Sequence, residues 1–268
     1  MTKTILITGA TDGLGRATAL SLAAKGHALL VHGRNASKLA ATADELKAVE
    51  GAGRVVTFQA DLSDLNEVAR LGRDLVEAES RIDVVVNNAG VLKVANPRTA
   101  AGLDVRFVVN TLAPALLTRA LLPVVPKHGR FVHLSSAAQA PVDLGALQGK
   151  VQLSEMEAYS QSKLALTMWS QALAAELGPD GPISVAVNPG SLLATNMVRD
   201  GFGMAGNDLN IGVDILTRAS LHASFAHSSG KYFDNDSGRF AAPHRAASNK
   251  AAVSAVVDAI ESLIGEHR

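Results

Sequence analysis

Two side chains that could together move a proton, Tyr159 and Lys163, stand four residues apart in the stretch Tyr-Ser-Gln-Ser-Lys. Residues four apart share one face of a helix, so the Lys163 ammonium would lie beside the Tyr159 ring. A free tyrosine has a pKa of about 10, and a nearby cation favours the ionised phenolate. The pair could therefore shuttle a proton at neutral pH. The same spacing also occurs by chance on solvated helices, so this interpretation depends on the rest of the chain.

A glycine-rich turn near the amino end joins a short apolar run to a helical stripe. Residues 4 to 8 are rich in branched side chains, residues 9 to 15 read Gly-Ala-Thr-Asp-Gly-Leu-Gly, and a helical period follows. Strand, glycine turn and helix in this order favour dinucleotide binding, because glycines let the backbone approach a pyrophosphate and the helix start favours its negative charge. The spacing is Gly-x-x-x-Gly-x-Gly. The alternative is a glycine-rich connection without a ligand.

Apolar runs alternate with segments of helical period along most of the chain. The predicted strands are continuous apolar runs, as expected when both sheet faces are buried, and they cover residues 4–8, 28–32, 54–60, 82–87, 130–135 and 183–188. This alternation predicts an α/β fold: a single-domain, Rossmann-type, doubly wound parallel sheet with helices on both faces, spanning residues 1–268. Residues 191–210 show no clear period, and after them we expect a helix at 211–225, a last edge strand at 231–233 and a closing helix at 251–264.

The composition excludes several classes of function. The 25 basic and 25 acidic residues balance, with no basic stripe for nucleic acid. Cysteine is absent and the eight histidines lack ligand spacing, so we expect no metal site; the run from Asp234 to Gly238 is interpreted as a turn, not a calcium loop. No apolar stretch is long enough to span a membrane, and the amino end lacks a signal-peptide pattern, so we expect a cytoplasmic protein.

Seven motifs in order resemble the short-chain dehydrogenase/reductase family, and the resemblance covers nearly the whole chain. They are Thr8-Gly9 through Gly15, Asp61-Leu62, Asn87-Asn88-Ala89-Gly90, Asn110, Ser135-Ser136, Tyr159 with Lys163, and Asn188-Pro189-Gly190. Ser136 and Tyr159 are 23 positions apart, which is longer than the commonest family spacing. The insert, roughly Pro141 to Glu155, and the stretch Tyr-Ser-Gln-Ser-Lys-Leu-Ala look most like the retinol-dehydrogenase-like branch.

The resemblance implies roles for four catalytic residues, Asn110, Ser136, Tyr159 and Lys163. Tyr159 would act as acid and base, while Lys163 would lower the Tyr159 pKa and bind the nicotinamide ribose. Ser136 would hydrogen-bond the substrate oxygen, with Ser135 as the alternative. Asn110 would hold a water in a relay toward Lys163; alternatively, it bonds backbone at a helix kink made by Pro114.

The resemblance also implies a set of cofactor contacts: Gly9, Thr11, Asp12, Gly13, Leu14, Gly15, Arg34, Asn35, Asp61, Leu62, Asn88, Ala89, Gly90, Tyr159, Lys163, Pro189, Gly190 and Thr195. Arg34 stands where an acidic residue would receive a ribose 2′-hydroxyl, and an arginine can instead pair with a 2′-phosphate. NADP(H) is therefore the preferred cofactor and NAD(H) a possible one, the latter if Arg34 is merely solvated. Asp61 would contact the adenine amino group, or alternatively cap a helix starting at Leu62.

The expected function is an NAD(P)-dependent oxidoreductase acting on a mainly apolar alcohol or carbonyl compound. A substrate-covering segment would span about 191–245, with apolar surface from Leu192, Leu193, Met197, Phe202, Met204 and Leu209. A non-catalytic dinucleotide-binding sensor or scaffold is the alternative, and a sugar-nucleotide epimerase or dehydratase is a third. By resemblance we expect a homodimer or homotetramer formed through the helices that carry Asn110 and Tyr159, with Leu116, Leu166 and Trp169 either at that surface or in the core.

Overall fold

One eight-stranded sheet forms the centre of the molecule. The computed structural model describes residues 2–268, apart from the side chain of Phe202. The strands are β1 Thr4–Ile7, β2 Ala28–Gly33, β3 Val55–Gln59, β4 Val84–Asn87, β5 Arg130–Leu134, β6 Ile183–Asn188, β7 Tyr232–Asp234 and β8 Arg239–Ala241. Their order in the sheet is β3-β2-β1-β4-β5-β6-β7-β8, and only the β7–β8 pair is antiparallel. The strand order therefore reverses between β1 and β4, which opens a crevice at their carboxyl ends.

Helices cover both faces of this sheet. They are α1 Gly13–Ala23, α2 Ala36–Lys47, α3 Leu65–Ala78, α4 Val105–Phe107, α5 Ala113–Leu121, α6 Leu144–Leu147, α7 Glu155–Leu177, α8 Asn196–Phe202, α9 Leu209–Leu221 and α10 Lys250–Gly265. A π-helical turn, Val108–Leu112, joins α4 to α5, and two short 3₁₀ turns occupy Ala223–Phe225 and Arg245–Ser248. No helix within residues 2–268 combines the length and the apolar character that crossing a bilayer requires.

Alternate residues of the central strands enter two separate cores. In β1, Leu6 packs with α3, α5, α7 and α10, whereas Ile5 and Ile7 pack with α1, α2 and α9 on the opposite face. All three side chains are fully buried, and each stabilises the fold by about 1.5–3 kcal/mol relative to an exposed position. The predicted fold class, a doubly wound α/β sheet with helices on both faces, is confirmed.

The edge of the sheet differs from the prediction, because β7 is an internal strand. Asp234 to Gly238 form a turn, with Gly238 at a φ of 68°, and β8 then pairs antiparallel with β7. The Phe240 ring lies 5.0 Å from the Phe233 ring and 5.2 Å from the Phe225 ring, which anchors β8. Residues 231–233 are therefore not the edge strand. The interpretation of 234–238 as a turn is confirmed.

Helix α10 covers the face of α5 and α7 that was a candidate for self-association. Leu116 and Leu166 are 1% exposed and Trp169 is 0% exposed, so none of them supplies surface. Trp169 Nε1 donates to Glu261 Oε1 of α10 at 2.8 Å, and Arg119 Nη2 donates to the same oxygen at 2.7 Å. All three residues are therefore buried in the chain itself, and Leu116 and Trp169 share a core cluster with residues of α10.

Candidate active site

The glycine-rich turn lies at the carboxyl end of β1 and leads directly into α1. Gly9 and Gly13 have φ angles of 65° and 48°, a region that other residues rarely adopt. Asp12 caps α1 by accepting from the Gly13 N–H at 2.7 Å. A β-carbon at Gly15 would lie 2.3 Å from Gly9 O and 2.4 Å from Asn88 Nδ2, so only glycine fits there. The turn thus brings bare backbone to the start of a helix, as a pyrophosphate requires.

The end of β4 supports this turn from the other side of the crevice. Asn88 Nδ2 donates to Thr8 O at 2.8 Å and to Gly9 O at 3.2 Å. Thr8 Oγ1 accepts from the N–H groups of Asn88 and Ala89, each at 3.1 Å. The Asn88 side chain therefore braces the glycine turn. The backbone of this turn forms a cradle that fits a dinucleotide pyrophosphate.

Arg34 and Asp61 face each other where the ends of β2 and β3 meet the cavity. Arg34 Nη1 lies 3.7 Å from Asp61 Oδ2, and 76% of the Arg34 side chain is exposed. Asp61 Oδ1 accepts from Ser63 N at 2.9 Å and from Ser63 Oγ at 2.7 Å. Helix α3 begins at Leu65 with Asp64 as its cap, so the alternative in which Asp61 caps a helix is wrong.

Asn35, one of the predicted cofactor contacts, forms the amino-terminal cap of a helix. Its Oδ1 accepts from Lys38 N at 2.9 Å and caps α2, and Asn35 does not line the cavity. An asparagine at a helix cap satisfies a free N–H of the first turn, which competes with binding a ligand. The cofactor contact expected for Asn35 from the resemblance stays a prediction, and the contact that the structure shows for its side chain is the helix cap.

Tyr159 and Lys163 lie on one face of α7 and both line the cavity. Helix α7 starts in a capping box formed by Ser154 and Glu157, which sets the first turn before Tyr159. Lys163 Nζ lies 5.6 Å from the centre of the Tyr159 ring and donates to Leu134 O at 2.8 Å. The predicted i,i+4 pairing on a helix is present.

The titration of this pair differs from the expected one. Burial raises the Tyr159 pKa, and a smaller opposing effect comes from a hydrogen bond with the Ser136 side chain. Burial also lowers the Lys163 pKa to about 8. Lys163 Nζ lies beside the ring and donates to Leu134 O, and burial outweighs the lowering of the Tyr159 pKa that was expected from this lysine. The phenol keeps its proton at neutral pH and is ready to donate it.

The two serines after β5 occupy different environments. Ser135 is 3% exposed, and its Oγ lies 2.7 Å from Thr167 Oγ1 and 3.3 Å from Lys163 O. Ser136 is only partly buried, and its Oγ accepts from Ala138 N at 3.1 Å, which leaves its proton free to donate. Ser136 therefore presents its hydroxyl to the cavity. Tyr232, which sequence reasoning missed, donates from its hydroxyl to Ser136 O at 3.0 Å and holds this residue in place.

Asn110 lies in the π-helical turn and is fully buried. Its Oδ1 accepts from Val91 N at 2.8 Å, and its Nδ2 donates to Val91 O and Ser162 Oγ, each at 3.0 Å. The side chain thus fastens the loop after β4 to α7, and it does not line the cavity. Both hydrogens of the Asn110 side-chain amide are used in these hydrogen bonds. The alternative in which the Asn110 side chain bonds backbone therefore describes what the structure shows.

A single cavity of about 1680 Å³ joins these groups, which exceeds the volume of an ordinary small-molecule site. Except for Asn35 and Asn110, every predicted catalytic or cofactor residue lines it. The amino-terminal glycine turn and Arg34–Asp61 occupy one end, and Ser136, Tyr159 and Lys163 occupy the other.

Several lining residues carry no motif that could have identified them. Leu263, Glu266 and His267 reach the cavity from the end of α10, where His267 Nδ1 lies 2.9 Å from Asn66 Oδ1. Gln148 comes from the insert before α7, which Arg98 ties to the loop after β4 by donating to Gly149 O at 2.9 Å, and Met156 comes from the first turn of α7. These residues are brought in by packing between distant segments.

The covering segment after β6 contains a helix that its irregular composition concealed. Thr195 caps α8 by accepting from Val198 N at 3.3 Å, and the Asn196 side chain donates to Asp12 in the glycine turn. Of the apolar residues proposed for this segment, three line the cavity: Leu192, Leu193 and Met197. Met204 is 49% exposed, and neither it nor Leu209 lines the cavity; the Phe202 side chain lies outside the described residues. From Leu209 onward the segment contains α9, β7 and β8, and none of residues 209–245 lines the cavity; the covering segment at about 191–245 stays a prediction.

Comparison with known proteins agrees with this site. The family model for short chain dehydrogenase matches residues 3–203. Retinol dehydrogenase 12 of Bos taurus is 31% identical over 263 residues, which cover 93% of this chain and 83% of that protein. The crystal structure of an uncharacterized protein from Mycobacterium paratuberculosis is similar at a TM-score of 0.80 and 28% identity, covering 98% of this chain and 93% of the other.

A third similarity concerns the cofactor. A short chain dehydrogenase from Burkholderia cenocepacia J2315, solved in complex with NADP, has a TM-score of 0.69 and 26% identity, covering 87% of this chain and 95% of the other. The chain belongs to the short-chain dehydrogenase/reductase family, in its retinol-dehydrogenase-like branch, and is an NAD(P)-dependent oxidoreductase.

Proposed function

We propose that this protein interconverts a mainly apolar alcohol and the corresponding carbonyl compound, with Tyr159 as the acid and base and NADP(H) as the preferred cofactor. The observation that supports this most strongly is the convergence of the Ser136 hydroxyl, the Tyr159 phenol and the Lys163 ammonium at one end of a cavity whose other end is the glycine cradle. A sensor or scaffold without turnover is not favoured, since it has no need for this set of proton donors.

Each polar group has a defined task in the reductive direction. A bound nicotinamide dinucleotide would supply the hydride. Tyr159 donates its proton to the substrate oxygen as negative charge builds there, and the Ser136 hydroxyl donates a hydrogen bond to the same oxygen. The Lys163 ammonium, 5.6 Å from the ring centre, then stabilises the phenolate that remains. In the oxidative direction, Tyr159 takes the proton back.

Return of the proton to Tyr159 requires a path from water, and the backbone of Asn110 supports one. The Asn110 side-chain amide is fully hydrogen-bonded, and the Asn110 backbone carbonyl has no α-helical donor, because the residue four positions later is Pro114, which lacks an N–H. The carbonyl, rather than the side chain, is thus the group that could hold a relay water near Lys163. A β-carbon at Gly90 would lie 3.3 Å from both Asn110 Oδ1 and Lys163 Nζ, so glycine keeps this space open.

The substrate end is lined mainly by apolar side chains. Leu92, Val94, Met156, Leu192 and Met197 border the cavity there, and flexible methionines suit substrates of varied shape. The test is a panel of apolar, phosphorylated and carboxylate-bearing alcohols and carbonyls with each cofactor, followed by nicotinamide absorbance. We expect turnover of apolar members only. A preference for phosphorylated or carboxylate substrates would contradict the apolar pocket, and no turnover with any member alongside tight cofactor binding would favour the sensor alternative.

For the cofactor we expect NADPH to bind about tenfold or more tightly than NADH, because Arg34 offers an exposed guanidinium to a 2′-phosphate. The Arg34→Ala variant should lose most of this difference, measured as dissociation constants from nicotinamide fluorescence. Arg16→Ala is the control, since Arg16 pairs with Glu45 and does not line the cavity. Equal dissociation constants for the two cofactors in the unaltered protein would refute the preference.

Residues 192–208 should be the least protected part of the cavity wall in hydrogen exchange. Gly203 and Gly206, at φ angles of 67° and 81°, let this segment bend, and the Asp12–Asn196 contact is a side-chain tie to the glycine turn. Cofactor with substrate should slow exchange there, with β4 and β5 as slow internal references. If residues 192–208 are as protected as β4 and β5 in the free protein, and ligands do not change their exchange, the segment is a rigid wall of the cavity.

A homodimer or homotetramer and a cytoplasmic location stay predictions. Because α10 packs over Leu116 and Trp169, these two side chains do not supply the surface for self-association.

A further inference from the structure

His32 is a buried histidine that joins two separate parts of the cofactor cavity. It lies near the end of β2, is 3% exposed, and lines the cavity between the glycine turn and the end of β3. Its Nδ1 accepts from the Gly9 N–H at 3.2 Å, and its Nε2 lies 3.0 Å from Ala60 O. The His32 carbonyl also accepts from Ala10 N at 2.9 Å.

These partners determine the state of the ring. A backbone N–H can only donate, so Nδ1 carries no proton, and the proton on Nε2 donates to Ala60 O. Burial favours this neutral form and lowers the His32 pKa to about 4. A protonated ring would instead point a second N–H at the Gly9 N–H and lose that hydrogen bond.

Both partners are backbone groups of the cofactor site. Gly9 opens the turn that would receive the pyrophosphate, and Ala60 directly precedes Asp61, which faces Arg34 at the adenosine end. Asn88 braces the turn from the β4 side, through Gly9 O, whereas His32 holds it from the β2 side, through Gly9 N. The imidazole therefore sets the distance between the two loops on either side of the adenosine pocket.

We propose that His32 is a positioning residue for cofactor binding, which holds the glycine turn and the Ala60–Asp61 loop at the spacing that the adenosine and pyrophosphate groups require. This inference rests on the proposed function, since it concerns the same cofactor site. His32 acts through Gly9 and Ala60 and has no part in the proton transfer at Tyr159.

The simpler alternative is that His32 only stabilises the sheet, and the chain contains a matched control for it. His27 stands just before β2, at its opposite end, is 8% exposed, and accepts from Lys3 N through Nδ1 at 3.2 Å. It does not line the cavity. Both histidines thus join backbone at one end of the same strand, but only His32 does so beside the cofactor site.

The experiment compares His32→Phe, His32→Asn and His27→Phe in the full chain. We would measure NADPH dissociation constants by fluorescence at a temperature where each protein is folded, thermal unfolding without cofactor, and hydrogen exchange of residues 9–15 without cofactor. His32→Phe removes both hydrogen bonds and should weaken binding about tenfold and speed exchange in residues 9–15. His32→Asn keeps an acceptor toward Gly9 and should recover part of both losses. His27→Phe should lower thermal stability but leave binding within about twofold and residues 9–15 unchanged.

The outcomes separate this inference from the proposed function. Binding by His32→Phe within about twofold of the unaltered protein would overturn it, as would equal weakening in His27→Phe. If His32→Phe does not fold, His32→Asn decides the question by the same exchange and binding measurements. Failure of the unaltered protein to bind either dinucleotide would instead overturn the proposed function, while exchange in residues 9–15 would still report on the His32 contacts.

Discussion

Replacing Tyr159 with phenylalanine should lower kcat by about 10²- to 10⁴-fold, because the variant lacks the phenol that transfers a proton to the substrate oxygen in the proposed reaction. The phenylalanine ring keeps the packing of α7, and the glycine cradle and Arg34 lie at the other end of the cavity. The cofactor dissociation constant should therefore stay within about twofold of the unaltered value. Steady-state kinetics on a substrate found in the panel, with cofactor binding measured separately, checks both halves.

Lys163→Ala is the informative comparison for this result. Lys163 stabilises the phenolate and, by resemblance, holds the nicotinamide ribose, so its loss should lower kcat and weaken cofactor binding together. Turnover of Tyr159→Phe within about tenfold of the unaltered protein would show that Tyr159 is not the acid. Equal loss of cofactor binding in both variants would show instead that Tyr159→Phe disturbs the site as a whole.

Gly15→Ala should lose most of the cofactor affinity and destabilise the fold by about 1–3 kcal/mol, the usual cost of inserting a methyl group into a packed site. The new β-carbon would lie 2.3 Å from Gly9 O and 2.4 Å from Asn88 Nδ2, so the turn or the Asn88 brace has to move. Helix propensity alone predicts the opposite, since alanine is favoured over glycine within a helix by about 1 kcal/mol. A loss of stability would thus show that packing dominates, whereas a gain would show that helix propensity dominates.

Gly265→Ala provides the control for that substitution. Gly265 ends α10, and a β-carbon there would meet nothing within 4 Å. Its alanine variant should be as stable as the unaltered protein or slightly more stable, with unchanged cofactor binding. Thermal unfolding and NADPH titration of both variants check the pair. A Gly15→Ala protein that binds NADPH normally would show that the turn does not approach the cofactor closely.

Local sequence determined the strands, the main helices and the identity of most site residues. Strands buried on both faces read as unbroken apolar runs, so β4 could be placed from Val84 to Val86 without any knowledge of its neighbours. The glycine turn and the Tyr159–Lys163 pair are likewise local, because each depends on the conformation of a few consecutive residues. These features were predictable because the residues that determine them are neighbours in the sequence.

Contacts between distant segments decided the rest. Whether Trp169 is surface or core depends on α10, which lies about 90 residues later and covers it through Glu261. The helix cap made by Asn35 depends on where α2 begins, and the pKa of Tyr159 depends on burial and on a hydrogen bond with the Ser136 side chain. The two partners of His32 lie in the loops after β1 and β3, whose approach no spacing in the sequence reveals. Motifs thus predicted which residues would carry the chemistry. Burial and hydrogen-bond competition, which exist only once the sheet and helices have packed, decided how each of these side chains is held and in which direction its pKa shifts.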